Sequence, residues 1–483
     1  MTTDELAARA HHHTLPKGHR SHTPAERAEF GKRARKRTPR SSLGDFSVSP
    51  DRSDPVSLLE EQALTRVHEL VPIRHGRMAV SPFTFCRGAA LPMAADLASM
   101  PNSDLHVQLV GDAHLLNFGV FGTPERRLVF DINDFDETSV GPFEWDLMRL
   151  TASLVLASRE RGDAPATTER AVLSAAAAYR TSMATFAAMK TLDVWYSLFD
   201  VDQFVADLGK SRKNRPQMNE KALRKIRTRD SVKAAERTTV MVDGEPRFVA
   251  NPPLQVPAVD LGLEQFSGPL EQIIAQLYDQ SSFYRRSLSP ERRHLFDEYR
   301  MVDIARRVVG VGSVGTRCYI LLLLGRDPED PLILQVKEAE ASVLERFAGK
   351  SPYQNHGERV VVGQKLTQSA SDLFLGWTTN TLPNGSVRSF YLRQFRDWKG
   401  SIEYAELEPD RFEYYGKVCA WALAKAHARS GDQIAISSYM GAGTTFDEAM
   451  LSFSLAYADQ TVVDHDALLT AIKSGRVQAV DGV

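Results

Sequence analysis

Gly111-Asp112-Ala113-His114-Leu115-Leu116-Asn117, followed by Asp131-Ile132-Asn133-Asp134-Phe135-Asp136, sets acids and an amide in the order that magnesium-dependent phosphoryl transfer requires. That chemistry needs a carboxylate near the attacking hydroxyl and hard oxygen ligands for Mg²⁺. Asp112 suits the first task. Asn117, five residues on, suits the second together with Asp134, and Asp136 has a supporting place. His114 reads as a residue that orients this loop rather than one that reacts.

The motif then extends to Gly141-Pro142-Phe143-Glu144-Trp145-Asp146. Over roughly residues 108 to 155 it resembles the catalytic half of aminoglycoside phosphotransferases and related small-molecule kinases. Those kinases carry His-Gly-Asp-x-His-x-x-Asn, Ile-Asp-Phe and Gly-Pro-x-x-Tyr-Asp segments. The resemblance implies an α+β, protein-kinase-like two-lobe fold that uses ATP and Mg²⁺, with Asp146 bracing the Asp112 loop by accepting backbone hydrogen bonds. This chain departs from the pattern in two places. Val110 stands where the kinases have their leading His, and the interval from Asn117 to Asp134 is a few residues longer. Asp131 fits that interval; Asp134 fits the downstream spacing and the following Phe, so Asp134 is preferred and Asp131 stays open. With Asn117-Phe118-Gly119 and the upstream Phe85 to Gly88 segment included, most of the chain also resembles an uncharacterised bacterial family with no assigned activity.

Composition sets outer bounds. The 483 residues suffice for two or three domains, and 59 basic against 61 acidic residues give a net charge of −2. Such a balance creates no general pull toward nucleic acid or a membrane. Cys86, Cys318 and Cys419 are far apart, with no disulfide or zinc spacing, which suits a reducing cytoplasm. Apolar runs such as Cys318 to Leu324 are too short to span a bilayer. Oligomeric state leaves no trace in the sequence.

Along the chain, residues 1–45 read as a basic mobile arm carrying Gly31 to Arg40. Residues 46–300 read as a mostly helical catalytic lobe. Within it the spacing predicts helices over 56–70, Asp146 to Ser158 and 165–190, and a Lys- and Arg-rich helix over 208–237 without the aromatics of a nucleic-acid platform. Leu109-Val110 and Leu128 to Ile132 read as short buried strands flanking the Asp112 loop. Residues 301–400 form a β-rich block, with strands expected at Arg306 to Val309, Tyr319 to Leu324, Leu332 to Val336, Val360 to Val362 and Phe390 to Gln394. Residues 401–483 return to helix, including Phe412 to Ala428.

The β-rich block opens with Gly310-Val311-Gly312-Ser313-Val314-Gly315. Gly-x-Gly-x-x-Gly alone is a weak signal, equally a tight turn between core strands. Here it separates two β-runs instead of opening a helix, which argues against a Rossmann site and for a hairpin that covers phosphates with backbone N–H groups. Gly310, Gly312, Ser313 and Gly315 are therefore nucleotide-site candidates. Lys337, at the end of a later strand, stands where a kinase holds its phosphate-binding lysine, with Glu340 or Glu345 as its acid partner. Yet these elements follow Asp112 by about two hundred residues, whereas kinases place them first. A circularly permuted kinase-like fold accounts for that order, since permutation costs little where the joined ends meet at the surface.

Three functions fit: an ATP- and Mg²⁺-dependent phosphotransferase acting on a hydroxyl of a small molecule or protein; a nucleotide-binding regulator or nucleotidyl (AMP) transferase; and a metal-dependent phosphoesterase, which Gly-Asp-x-His also suits. Arg87 reads equally as a phosphate ligand or a strand-end salt bridge. The acceptor groove is expected from the helical region 160–300.

Overall fold

Thr23 opens helix α1 (Pro24–Arg37) with a capping box: its hydroxyl accepts the Glu26 N–H, and the Glu26 carboxylate accepts the Thr23 N–H. This computed structural model describes residues 22–203, 226–228, 231–262, 269–381, 385–395, 398–400 and 402–482. The expected mobile arm is thus a docked helix over its second half, and residues 1–21 lie outside the described residues. The physical reason is size. Gly31 and Ala34 are buried one turn apart, and a Cβ on Gly31 would stand 2.0 Å from the Ala435 carbonyl oxygen. The arm's arginines then find neighbours: Arg27 pairs with Asp432 at 2.8 Å, and Arg40 donates to the Met440 carbonyl at 2.5 Å.

Helices α2 (Pro55–Ala63), α3 (Val71–Ala79), α4 (Pro82–Gly88) and α5 (Ala90–Ala98) follow as a layer of short helices. In α4, Ser81 and Thr84 form a second capping box with Pro82 in the first turn, so the apolar run into Arg87 is helical and not a strand. Strands β1 (His106–Leu109), β2 (Phe118–Gly122), β3 (Leu128–Ile132) and β4 (Ser139–Pro142) bracket the Asp112 loop: β1 pairs antiparallel with β4, and β2 with β3. Helix α6 (Glu144–Glu160) is buried at every position from Glu144 to Ser158, and α7 (Pro165–Ala188) packs beside it.

The chain continues through α8 (Thr191–Tyr196), strand β5 (Phe199–Asp200) beside β3, helix α9 (Ser231–Thr238), the hairpin β6 (Thr239–Val242) and β7 (Glu245–Phe248), then β8 (Gln255–Pro257), α10 (Leu270–Ser287) and α11 (Pro290–Asp297). Most of the basic helix expected over 208–237 lies outside the described residues; α9 covers its end. Strands β9 (Arg300–Arg307), β10 (Cys318–Leu324), β11 (Pro331–Ala339), β12 (Gly376–Thr381) and β13 (Val387–Gln394) complete a six-stranded antiparallel sheet in the order β12-β13-β11-β10-β9-β8. Through β8 the sheet reaches back past the boundary expected at residue 301. Alternate residues of β10 enter different cores: Tyr319, Leu321 and Leu323 pack with Ile273 and Tyr284 of α10, while Ile320, Leu322 and Leu324 pack with Ala234 and Ala235 of α9. Burial on both faces explains why β10 is an unbroken apolar run.

Between β11 and β12 lies α12 (His356–Thr367). The Val360 to Val362 run is therefore helical, not a strand. The Asn355 side chain accepts the Glu358 N–H at the helix start, and burial of Val360 and Val361 overrides the β preference of a Val triplet. Helices α13 (Pro409–Ser430), α14 (Gln433–Met440) and α15 (Thr445–Lys473) close the fold: α13 lies along α7, α14 receives α1, and α15 covers α6. The architecture is mixed α+β. Among the described residues no helix is long and apolar enough to cross a membrane.

Candidate functional site: a cleft beneath the glycine loop

The Asp112 loop leaves β1 through Gly111, whose φ is 87°, and where a Cβ would stand 2.2 Å from the Glu137 carbonyl oxygen. Asp146, near the start of α6, accepts the Val110 and Gly111 N–H groups at 2.6 and 2.9 Å, the brace expected of it. Behind Asp146 stands His427 of α13, its Nε2 at 3.1 Å; its Nδ1 meets the Tyr179 hydroxyl at 2.7 Å. The tautomer that satisfies both neighbours carries its proton on Nε2.

Asp112 itself is held from one side. Arg149, three residues beyond Asp146, donates through Nε and Nη2 to Oδ1 at 2.9 and 2.7 Å, and through Nη2 to the Cys86 carbonyl at 2.5 Å. One guanidinium therefore ties the loop to α4. Asn117 donates its amide to the Asp112 carbonyl at 2.5 Å, which leaves its side-chain oxygen available as a ligand. His114 accepts the Leu116 N–H on Nδ1 at 3.2 Å, and burial pushes its pKa down to about 4. It is a neutral cap on the short turn Leu115–Asn117.

The second acidic segment separates its members. Asp131, inside β3, turns into the core, where it pairs with Lys425 and accepts the Ser369 N–H at 2.8 Å. Asp134 and Asp136 face the cleft. Lys337 of β11 lies 2.5 Å from Asp136 and 3.5 Å from Asp134. Burial favours the neutral amine, but the two carboxylates overcome it and hold the Lys337 pKa well above its usual value. For Asp134, burial acts to raise the pKa, and Lys337, Arg393 and Lys399 outweigh it, so the carboxyl lies below the usual range. The Tyr391 hydroxyl completes Asp136 at 2.5 Å. The partners of Lys337 are thus these two acids. Glu340 faces Arg388 at 3.5 Å, and Glu345 accepts the Ser342 N–H at 3.1 Å.

Gly310 to Gly315 form the turn between β9 and β10, with φ of 67° at Gly310 and 91° at Gly315. The helical layer pins this turn: Arg77 donates to the Gly310 carbonyl at 2.5 Å, Val67 N–H to Gly315 at 2.7 Å, and Arg66 to Val314. Ser313 reaches Asp136 at 3.4 Å. A cleft of about 530 Å³ opens under the turn. Asp112, His114, Asn117, Asp134, Asp136, Gly310, Gly312 and Ser313 all line it. Gly315 anchors the turn, and Lys337 stands behind Asp136.

Among the described residues, none between 160 and 300 lines this cleft. The wall expected from that region comes instead from α2 to α4 and their connections, including Arg66, Arg74 and Arg87. The reason is packing: α7 buries its face against α13. Arg87 therefore sits on the cleft, not in a strand-end salt bridge. Sequence reasoning missed Arg149, Tyr391 and Arg359, whose guanidinium donates to the Asp136, Thr138 and Glu340 carbonyls. An arginine inside the otherwise apolar stretch of α6 was the one available signal. Among the described residues no group of three or more His, Cys, Asp or Glu is placed to hold a metal ion.

The chain belongs to the bacterial family DUF2252, described as an uncharacterized protein conserved in bacteria, whose model matches residues 66–471. No curated protein and no solved structure matches it.

Proposed function

We propose that the protein is an ATP- and Mg²⁺-dependent phosphotransferase on a kinase-like, circularly permuted fold, acting on a hydroxyl group. The observation that supports it best is the ion pair of Lys337 with Asp134 and Asp136, across about two hundred residues of sequence, at the edge of a cleft lined by both acids, Asp112, Asn117 and the glycine turn. The glycine turn lies between the first and second strands of this block and the lysine on the third, the arrangement that protein kinases use for the phosphates of ATP. The permuted order is supported by α13, which follows the sheet in the chain yet delivers His427 to Asp146.

In this reading Asp112 orients the acceptor hydroxyl and takes its proton as the acceptor oxygen bonds to the γ-phosphorus and the bond to the bridging oxygen breaks, releasing ADP. Arg149 fixes the carboxylate so that its second oxygen serves as the base. The turn's backbone N–H groups and Lys337 hold the phosphates, Lys337 moving from the acids to the nucleotide. Asn117 and Asp134, assisted by Asp136, would hold Mg²⁺, which supplies charge neutralisation when bound. Two protein oxygens suit an ion that keeps waters and phosphate oxygens as its other ligands. Positioning and electrostatics account for the catalysis.

Calorimetry and thermal unfolding with Mg-ATP, on the wild type, Asp134→Ala and Lys337→Ala, test the reading. At one hundred times Kd, nucleotide should stabilise the wild type by about 2.7 kcal/mol. Both variants should lose affinity. Absence of binding, or Lys337→Ala binding as tightly as the wild type, overturns it.

A further inference from the structure

Three arginines on the helical wall of the cleft stand outside the ion pairs of the described residues. Among the described residues Arg66, Arg74 and Arg87 form no ion pair, whereas the acids around them are matched. Asp112 has Arg149, Asp134 and Asp136 share Lys337, Glu338 has Arg317 and Arg388, Glu340 has Arg388, and Glu61 has Arg346. Glu137 accepts the Val343 N–H in the field of Arg359. The wall therefore carries surplus positive charge.

Part of their donor capacity is also unmet. Arg74 is 1% exposed, yet only its Nη2 is engaged, by Gln62 Oε1 and the Gly88 carbonyl, both at 2.9 Å. Its Nε and Nη1 are buried without an acceptor, as are the Nε groups of Arg66 and Arg87. Burial lowers the pKa of all three. Unmatched Nε groups recur at other arginines, but Arg74 lacks an acceptor on two nitrogens, and it stands with Arg66 and Arg87 on one cleft wall, where buried donors left open are costly. A guanidinium fork matches the oxygens of a phosphate or carboxylate.

The group belongs to different elements from those that hold the nucleotide, and it adjoins them where Arg66 donates to the Val314 carbonyl. Asp112 is the acid that most influences Arg87, and Arg66 and Arg74 feel each other's charge. The three stand on α3, α4 and the segment before α3, while the glycine turn and Lys337 belong to the sheet. We propose that Arg66, Arg74 and Arg87 form the acceptor subsite, and that the acceptor is itself an anion, bearing a phosphate monoester or similar oxyanion near the hydroxyl presented to Asp112. This rests on the phosphotransferase reading of the same cleft.

The test uses the full chain and inorganic phosphate as the probe, by calorimetry with and without a saturating β,γ-methylene analogue of Mg-ATP. Wild type should bind phosphate in both conditions. Arg87→Gln should weaken phosphate at least tenfold while the analogue's Kd stays within threefold. Arg87 is partly exposed at a helix end, away from the turn's own hydrogen bonds, and circular dichroism confirms that the variant is folded. Failure of millimolar phosphate to bind, or its displacement by the analogue, overturns the subsite. Equal weakening of phosphate and analogue assigns the arginines to the nucleotide and overturns it too. If phosphate binding depends on the arginines but the analogue never binds, the phosphotransferase reading fails and the acceptor assignment with it.

Discussion

Replacing Asp131 by Asn should unfold the protein more readily without touching the proposed nucleotide site. Asp131 and Lys425 are 0% exposed and pair directly. The carboxylate also accepts the Ile132 N–H at 2.9 Å and the Ser369 N–H and hydroxyl at 2.8 and 2.5 Å. The amide keeps the shape and removes the charge, so the Lys425 ammonium is left unpaired in a site that already lowers its pKa. Breaking a buried pair from one side costs about 3–5 kcal/mol, whereas removing both charges is close to neutral. Asp131→Asn should therefore lose about 3–5 kcal/mol, and Asp131→Asn/Lys425→Met should recover most of it. The loss should shrink as pH rises: the variant's folded state binds fewer protons at Lys425 than the unfolded chain does, so stability increases with pH. Urea unfolding followed by tryptophan fluorescence measures each variant, and calorimetry measures Mg-ATP. Folded Asp131→Asn should bind nucleotide as the wild type does, and Asp134→Asn should not. A loss under about 1 kcal/mol with nucleotide binding abolished would refute the reasoning and make Asp131 the metal ligand.

Three further outcomes follow from burial. Glu144 is fully buried, which pushes its carboxyl up to about 7 despite hydrogen bonds from Ser103. A folded pKa raised from 4.5 means stability is lost as pH rises from about 4.5 through 7, by up to about 3 kcal/mol, and Glu144→Gln should flatten that part of the urea-midpoint profile. Gly31→Val should undock α1, because its Cβ meets the Ala435 backbone; overpacking of about 1–3 kcal/mol should speed trypsin cleavage at Arg33 to Arg37 roughly 5- to 150-fold. Cys86, Cys318 and Cys419 are buried with raised pKa values, about 11 for Cys318, so a thiol reagent at neutral pH should label none of them until urea is added. Rapid labelling of the folded protein would contradict the burial.

What could be read from the chain was what local pattern controls. β10 is apolar at every position because both faces of the sheet are covered there, and that run, the glycine turn and Lys337 were visible as a unit. Asp146 was legible through the Gly-Pro-x-x-x-Asp spacing. That Asp131 turns into the core was not, because its partner Lys425 lies 294 residues away. The Val360 to Val362 helix was hidden by β-branched residues whose preference a cap and burial overrule. Of the arginine wall, Arg87 was readable as a phosphate ligand as much as a salt bridge, whereas Arg66 and Arg74 were not, because nothing in their local sequence places them on a cleft. Only the tertiary arrangement shows that the glycine turn covers them. The same holds for α1, whose basic character suggested solvent until Gly31 met α14.

The His427–Asp146 contact has a consequence for synthesis. These residues are 281 positions apart. At roughly 5–20 residues per second, the ribosome needs on the order of 15–55 s to add the second after the first. Through that interval α6 has left the exit tunnel without α13 and α15 to cover it, and the loop it braces has no support from behind. The emerging chain therefore displays, for most of translation, a helix that the finished fold buries from Glu144 to Ser158, and the Asp112 loop can set only after nearly nine-tenths of the polypeptide has been made.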